Sequence, residues 1–345
     1  MEQEKRRERL DEVTLMRTIL AVLIVFMHSF TCYQGGWEQP AGFVNIPLYK
    51  WIARTSFAFT LEAFVFISGY LFAFQRISLK RMSGCINLII NKLKRLILPS
   101  FVFSALYFPL FYEYHGVGDL IYNLVNGCGH MWFLPMLFWC FLGCWLLEQI
   151  KMKDGWKLAS LVVLNLLPII TLPLRLSNAF SFMVYFYTGF LCYKYLDKIK
   201  AFVTPKNLTL LWLAFVVFFV VFRPLCDMLV ANESQSLYLR FLILSGNNIC
   251  HLLYASTGLF AFYVSAVYYT QRHQLKPFTI SFAACCFGIY IFQQFLLKIL
   301  YYKTDFPTVV GPYWLPWCGF VIAIAISFVL SALLLKTKKG KFLIG

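Results

Sequence analysis

Long apolar runs alternate with short clusters of charged residues along the 345-residue chain. A helix needs about 20 mostly apolar residues to cross the hydrocarbon of a bilayer, and ten stretches of the chain meet or approach that length. We therefore predict an all-α polytopic membrane protein, a bundle of about ten transmembrane helices. The predicted spans are residues 15–33, 51–74, 96–114, 132–150, 158–174, 179–195, 208–222, 248–269, 279–301 and 313–335.

The predicted fifth span contains Pro168 and Pro173. Proline removes a backbone hydrogen bond from a helix, so we expect this span to be kinked or broken. No linker, low-complexity segment or convincing internal repeat divides the chain. We therefore predict a single domain over residues 1–345.

Lysine and arginine are distributed unequally between the two sides of the predicted spans. One side carries 23 of the 31 basic residues and the other carries 7, while Arg17 lies within the first span. Loops rich in Lys and Arg stay in the cytoplasm. The basic N-terminus (residues 1–14) and the C-terminal tail (residues 336–345) are therefore both predicted to be cytoplasmic.

Composition agrees with a membrane protein, since 60% of the residues are hydrophobic and only 13% are charged. A soluble protein carries about 25% charged residues. The net charge of +16 is typical of proteins that bind nucleic acid, but the basic residues lie in short clusters between apolar runs. We expect no nucleic-acid partner. The 11 cysteines lack paired C-x-x-C spacing, so we expect buried thiols and no metal site.

Two polar residues of the first span, Arg17 and His28, carry the candidate chemistry. Eleven steps of about 100° bring the helix to within about 20° of its starting face, so both side chains project the same way, about 16 Å apart along the axis. Imidazole is suited to proton transfer near neutral pH. The alternatives are a histidine that hydrogen-bonds between helices and an arginine that reaches to the membrane surface.

The Arg17–His28 spacing resembles the signature of the acyltransferase 3 family of integral-membrane acyltransferases. Two positions depart from the family pattern: Thr14 stands where an acidic residue is common, and Gln293 stands where many members have histidine. Four further segments are similar to the family and follow its order, namely Ser68-Gly69-Tyr70-Leu71, Lys92-Leu93-Lys94-Arg95 with Pro99 after it, Trp132-Phe133-Leu134 and Gly288-Ile289-Tyr290.

The resemblance implies a multi-pass protein of the cell (inner) membrane that transfers an acyl group, usually acetyl. The donor would be a cytoplasmic thioester such as acetyl-CoA, and no cofactor would be permanently bound. The acceptor would be a hydroxyl of a cell-envelope glycan or of its lipid-linked precursor. His28 would act as the general base or as a transient acyl carrier, with Arg17 as the second catalytic residue.

Other polar residues of the second to fourth spans are candidates for substrate binding. CoA is polyanionic, and Arg and Lys bind phosphates, although the same residues also set orientation and meet anionic headgroups. Glu62 requires a partner or a polar cavity at membrane depth. Asn247, Asn248 and His251 either reach an acceptor or tie helices together. The candidate substrate-binding residues are Arg76, Lys92, Lys94, Arg95, Glu62, Ser68 and Trp132, with Lys80 and Arg81 in the same basic cluster.

A transporter or flippase is the alternative interpretation. Intramembrane Arg, Glu and His together with a proline-broken helix also suit a substrate pathway through a bundle. The missing internal repeat and the family-like segments in the first four spans favour the acyltransferase.

Overall fold

A computed structural model describes residues 10–81, 84–166, 172–231 and 236–344. In this part of the chain the regular structure is entirely helical, without strands. Eight helical segments are long and apolar enough to cross a membrane, as expected for a multi-pass membrane protein. These segments are Asp11–Ser29, Pro47–Ser78, Cys85–Phe111, Gly129–Leu147, Pro205–Leu229, Tyr238–Thr270, Pro277–Tyr302 and Leu315–Leu334.

The helices begin and end as follows. They are α1 (Asp11–Ser29), α2 (Pro47–Phe57), α3 (Thr60–Ala73), α4 (Cys85–Lys92), α5 (Leu98–Phe111), α6 (Val117–Asn126), α7 (Phe133–Leu147), α8 (Asp154–Asn165), α9 (Leu176–Lys194), α10 (Leu196–Phe202), α11 (Pro205–Ala231), α12 (Leu237–Thr270), α13 (Pro277–Tyr302), α14 (Phe306–Val310), α15 (Leu315–Leu334) and α16 (Lys338–Ile344). Single π turns follow α3 (Phe74–Ser78) and α4 (Leu93–Ile97).

The predicted fifth and sixth spans are the two that do not reappear as long apolar helices. Helix α8 ends at Asn165, before Pro168, and residues 167–171 lie outside the described residues. The last carbonyls of α8 are paired from α12: Asn248 Nδ2 donates to the Asn165 carbonyl (2.9 Å), and Ser245 Oγ donates to the Leu166 carbonyl (3.0 Å). These bonds satisfy groups that a helix end leaves without partners.

The predicted seventh span is longer than its apolar run indicated. The prediction stopped at residue 222, but α11 continues through Pro224 to Ala231. Arg223 and Asp227 are one turn apart and form an ion pair of 3.1 Å. Pairing reduces the cost of both charges, so the helix continues where hydropathy alone predicted its end.

The first of two compact units consists of residues 1–60 and 269–345. Within it α13 packs against both α1 and α15. Thr18 Oγ1 donates to the Thr279 carbonyl (3.2 Å), and Tyr301 Oη donates to the Ser29 carbonyl (2.9 Å). These bonds fix α1 against α13 near the middle of α1 and at its C-terminal end.

The second compact unit consists of residues 61–268. Helices α3 and α9 cross there in backbone contact, because Gly69 lies against the Phe186 backbone and Gly189 lies against the Phe66 backbone. A Cβ atom at either glycine would overlap the facing carbonyl group. Small residues allow this kind of close approach between membrane helices. The single domain predicted over residues 1–345 stays a prediction beside these two units.

Charged groups join α7, α8 and α9 at one end of the second unit. Lys157 Nζ lies 3.1 Å from Glu148 Oε1, and Lys194 Nζ lies 2.7 Å from Asp154 Oδ2, which also accepts a hydrogen bond from Tyr195. Partial burial raises the pKa of Asp154, but the hydrogen bonds from Lys194 and Tyr195 outweigh it and hold this pKa below its ordinary value.

Candidate functional site

Arg17 and His28 lie on one unbroken helix. Helix α1 runs from Asp11 to Ser29, so both residues keep the register that places them on one face. Arg17 is half-buried, and its carbonyl oxygen lies 3.3 Å from the Cys286 Sγ of α13. His28 lies in the last turn of α1 and is only 8% exposed. The catalytic roles of the two residues stay predictions.

The His28 imidazole is held from three directions. Its Nδ1 lies 3.1 Å from Gln293 Oε1 on α13. Trp37 stacks on the ring with centroids 5.9 Å apart and planes within 6° of parallel. Phe57 on α2 meets the ring edge-on at 6.2 Å. The position and the plane of the imidazole are therefore both fixed within the first unit.

Gln293 determines which ring nitrogen is basic. Its side chain is fully buried, and its Nε2 donates to the Tyr290 carbonyl (3.4 Å), which turns Oε1 towards His28. An amide oxygen only accepts, so Nδ1 of the neutral imidazole carries the proton and Nε2 is the basic nitrogen. A carboxylate orients histidine in the same way in hydrolytic triads.

From the sequence, Gln293 is only a departure from the family pattern, and its contact with His28 was not predicted. A glutamine inside an otherwise apolar segment was a usable signal, because a polar group at membrane depth requires a partner. His28 and Gln293 are 265 residues apart, however, and nothing in local periodicity joins them.

The basic cluster contains two kinds of environment. Lys94 and Arg95 are exposed on the π turn after α4, and Arg76 lies on the π turn after α3. The buried Nη1 of Arg76 has no hydrogen-bond partner among the described residues. Lys92 is buried instead, with Nζ 3.5 Å from the centre of the Phe141 ring, which is a cation–π contact. Lys92 is therefore packed against an aromatic ring, whereas Lys94 and Arg95 are exposed and Arg76 has an unpaired nitrogen. Substrate binding by all four residues stays a prediction.

Glu62 has a partner and also lines a polar cavity, either of which satisfies a carboxyl group at membrane depth. Its Oε1 lies 3.4 Å from His251 Nε2 on α12, and its side chain is 4% exposed. The two residues border a cavity of about 110 Å³ that Asn165 and Tyr185 also line. The cavity lies entirely within the second unit. Asn165 and Tyr185 were not predicted from the sequence.

The remaining candidates make contacts that join helices or stay within one. Ser68 Oγ donates to the Phe64 carbonyl of its own helix (2.9 Å). Trp132 packs against Phe133 and Phe182. Asn248 pairs with the end of α8, as described, and the Asn247 carbonyl lies 3.7 Å from Cys226 Sγ.

All 11 cysteines are free thiols, and nine of them are buried. Within the described ranges no group of three or more His, Cys, Asp or Glu residues is arranged to hold a metal ion.

Comparison with known proteins adds one finding to this geometry. A family model described as an acyltransferase domain, acyltransferase 3, matches residues 10–336, which include all of α1 to α15. No curated protein and no solved structure gives a match.

Proposed function

Because the chain belongs to the acyltransferase 3 family of membrane acyltransferases, we propose that it transfers an acetyl group from cytoplasmic acetyl-CoA to a glycan hydroxyl. The glycan is a cell-envelope polysaccharide or its lipid-linked precursor. The observation that carries this proposal is the buried hydrogen bond between His28 and Gln293, because it leaves Nε2 as the basic atom of the imidazole. A transporter that moves its substrate without proton transfer has no need for an oriented base.

The proposed reaction proceeds by general-base catalysis. Nε2 of His28 removes the proton of the acceptor hydroxyl while the hydroxyl oxygen attacks the thioester carbonyl. The carbon–sulfur bond then breaks, and the CoA thiolate takes the proton back from the imidazolium. The Gln293 oxygen accepts from Nδ1–H throughout and keeps the ring oriented. In the alternative route Nε2 itself attacks the thioester and the CoA thiolate leaves. The acceptor oxygen then takes the acetyl group from the acetyl-imidazole, and the hydroxyl proton passes to the CoA thiolate.

Donor binding is assigned to Arg76, Lys94 and Arg95. The two π turns present these groups just beyond the C-terminal ends of α3 and α4, and π turns recur at functional sites. Exposed ammonium and guanidinium groups and one unpaired guanidinium nitrogen suit the phosphates of CoA. Lys92 is left out of this assignment because its ammonium is committed to Phe141.

Replacing Lys94 and Arg95 together with glutamine is expected to raise the KM for acetyl-CoA about three- to tenfold with kcat little changed. Contacts to phosphate bind the ground state and the transition state alike, and exposed contacts are weakened by solvent. The measurement is transfer of radiolabelled acetyl from acetyl-CoA into the glycan fraction of inverted membrane vesicles. The matched control is Lys338→Gln with Lys339→Gln, two exposed lysines on α16.

The outcomes of this assay separate the two parts of the proposal. An unchanged KM in the Lys94 and Arg95 variant would mean that these residues set the orientation of the protein in the membrane and do not bind the donor. No acetyl-CoA-dependent labelling by the wild-type protein would contradict the proposed function.

We further propose that the chain crosses the inner membrane about ten times and has both termini in the cytoplasm. The basis is the 23 to 7 division of basic residues between the two sides of the predicted spans. Helices α8 and α9 would be the more polar pair among them, with α8 the shorter of the two. A reporter fused after Lys336 is expected on the cytoplasmic side, and one inserted at position 233, outside the described residues, on the external side. Reporters that both map to one side would contradict this topology.

A further inference from the structure

The cavity beside Glu62 is larger than the space that one trapped water occupies. Its volume is about 110 Å³, and it lies among α3, α8, α9 and α12. A buried water needs only about 10–15 Å³ by the same kind of measure. The cavity therefore has room for a ligand fragment that carries several polar atoms.

Three residues that line this cavity each carry one buried polar atom with no hydrogen-bond partner in the part of the chain that the structure describes. These atoms are Glu62 Oε2, Asn165 Oδ1 and Tyr185 Oη. The residues are 3%, 6% and 3% exposed, respectively. Buried polar groups are normally paired, because an unpaired one keeps its full desolvation cost. These atoms belong to residues of three different helices that all line one cavity, and this arrangement favours a ligand that pairs with them.

The charges around the cavity favour a neutral ligand. Behind His251, the Arg223 guanidinium lies 3.4 Å from Tyr254 Oη, and the Tyr254 ring contacts the imidazole at 5.1 Å. Arg223 is paired with Asp227, so this pair adds little net charge, and the Glu62 carboxyl disfavours an anion; a neutral ligand fits here without a further counterion. A neutral ligand must then provide hydrogen-bond donors to Glu62 and Asn165, which sugar hydroxyls do.

The cavity and the basic cluster lie at opposite ends of α3. Glu62 is in the first turn of α3, and Arg76 follows its last turn. With the orientation proposed above, Arg76 is on the cytoplasmic side and Glu62 is in the outer half of the membrane. An acceptor that arrives from the envelope side would therefore meet the cavity first.

We infer that this cavity binds one hydroxyl-bearing sugar ring, with Glu62 Oε2 and Asn165 Oδ1 accepting from its hydroxyls and Tyr185 Oη donating to or accepting from a third. Phe182, which also lines the cavity, offers an aromatic face for the apolar face of the ring. The sugar ring is that of the acetyl acceptor, an identity that rests on the proposed function. Glu62, Asn165 and Tyr185 are then specificity-determining residues.

The test uses the purified full chain and methyl β-D-glucopyranoside as the probe, without acetyl-CoA. We expect saturable binding of millimolar affinity in a thermal-shift titration, and about tenfold weaker binding in Glu62→Gln and in Tyr185→Phe. The fully O-methylated glucoside is the matched probe, because it keeps the ring but has no hydroxyl donor. Tyr263→Phe is the matched variant, since Tyr263 is buried in the same unit but does not line the cavity.

The unfolding midpoint measured without the glucoside shows whether Glu62 and Tyr185 serve ligand binding or helix packing. Glu62→Gln and Tyr185→Phe remove or neutralise groups whose unpaired atoms cost free energy, so their unfolding midpoints should equal or exceed that of the wild type. A midpoint lowered by several degrees in both variants would assign these residues to packing and overturn the inference. It is also overturned if the wild type shows no saturable binding, if the O-methylated glucoside binds equally well, or if both variants bind like the wild type.

The proposed function fails in a different way. Glucoside binding that depends on Glu62, in a protein that never consumes acetyl-CoA, would support the cavity and contradict acetyl transfer. Acetyl transfer whose acceptor KM is the same in Glu62→Gln as in the wild type would support the function and contradict the cavity.

Discussion

Replacing His28 with alanine is expected to lower acetyl transfer about a hundredfold or more, because the reaction loses its general base or acyl carrier. The KM for acetyl-CoA should stay close to the wild-type value, since phosphate contacts are assigned to Arg76, Lys94 and Arg95. The measurement is steady-state transfer of radiolabelled acetyl in membranes that contain matched amounts of inserted protein. Full activity in His28→Ala would contradict the mechanism, whichever of its two routes operates.

Variants of Gln293 test the same mechanism, because Gln293 orients the His28 imidazole through its hydrogen bond to Nδ1. Gln293→Leu removes the acceptor for Nδ1–H and keeps a side chain of similar volume, so kcat should fall about tenfold or more while the KM for acetyl-CoA stays unchanged. Gln293→His restores an acceptor nitrogen and should recover part of that loss. A purely structural role for Gln293 would lower the amount of folded protein and would show no such rescue.

Replacing Gly69 or Gly189 with alanine is expected to destabilise the protein by at least about 2–3 kcal/mol, because each added Cβ would overlap a backbone carbonyl of the facing helix. Backbone atoms cannot turn away as a flexible side chain does, so α3 and α9 would have to separate. The measurement is the thermal unfolding midpoint of the protein in detergent, followed together with the yield of inserted protein.

Gly155 is the matched control for these two glycines. It lies in the first turn of α8, and an added Cβ there meets no atom within 4 Å. Gly155→Ala should therefore leave the midpoint unchanged or raise it, since glycine in a helix costs about 0.5–1 kcal/mol relative to alanine. Equal losses in Gly69→Ala and Gly155→Ala would contradict the argument from close approach.

Local pattern was sufficient for the parts of the fold that depend on one helix at a time. Hydropathy predicted the segments that became α1, α13 and α15, and the 3.6-residue period placed Arg17 and His28 on one face of an unbroken α1. Pro168 and Pro173 predicted a kink or a break in the fifth span, and α8 ends at Asn165, before Pro168.

Hydropathy failed where polar residues meet partners from distant helices. The predicted seventh span ended too early because hydropathy penalises the charge of Arg223 and takes no account of its ion pair with Asp227. Hydropathy could not distinguish Lys92, whose charge is covered by Phe141, from its exposed neighbour Lys94. The cavity residues Asn165 and Tyr185 come from helices whose contacts a single sequence does not reveal. The environments of Lys92 and of the cavity residues depend on contacts between helices, which the hydropathy of each helix does not reveal.

The 265 residues between His28 and Gln293 have a consequence for biosynthesis. At about 5–20 residues per second, a ribosome needs roughly 13–53 s to add Gln293 after His28. Throughout that interval α1 is already made, whereas α13, which completes its packing, does not yet exist. The first unit therefore assembles after the whole of the second has been synthesised, and a nascent chain stopped before α13 carries His28 without the contact that orients it.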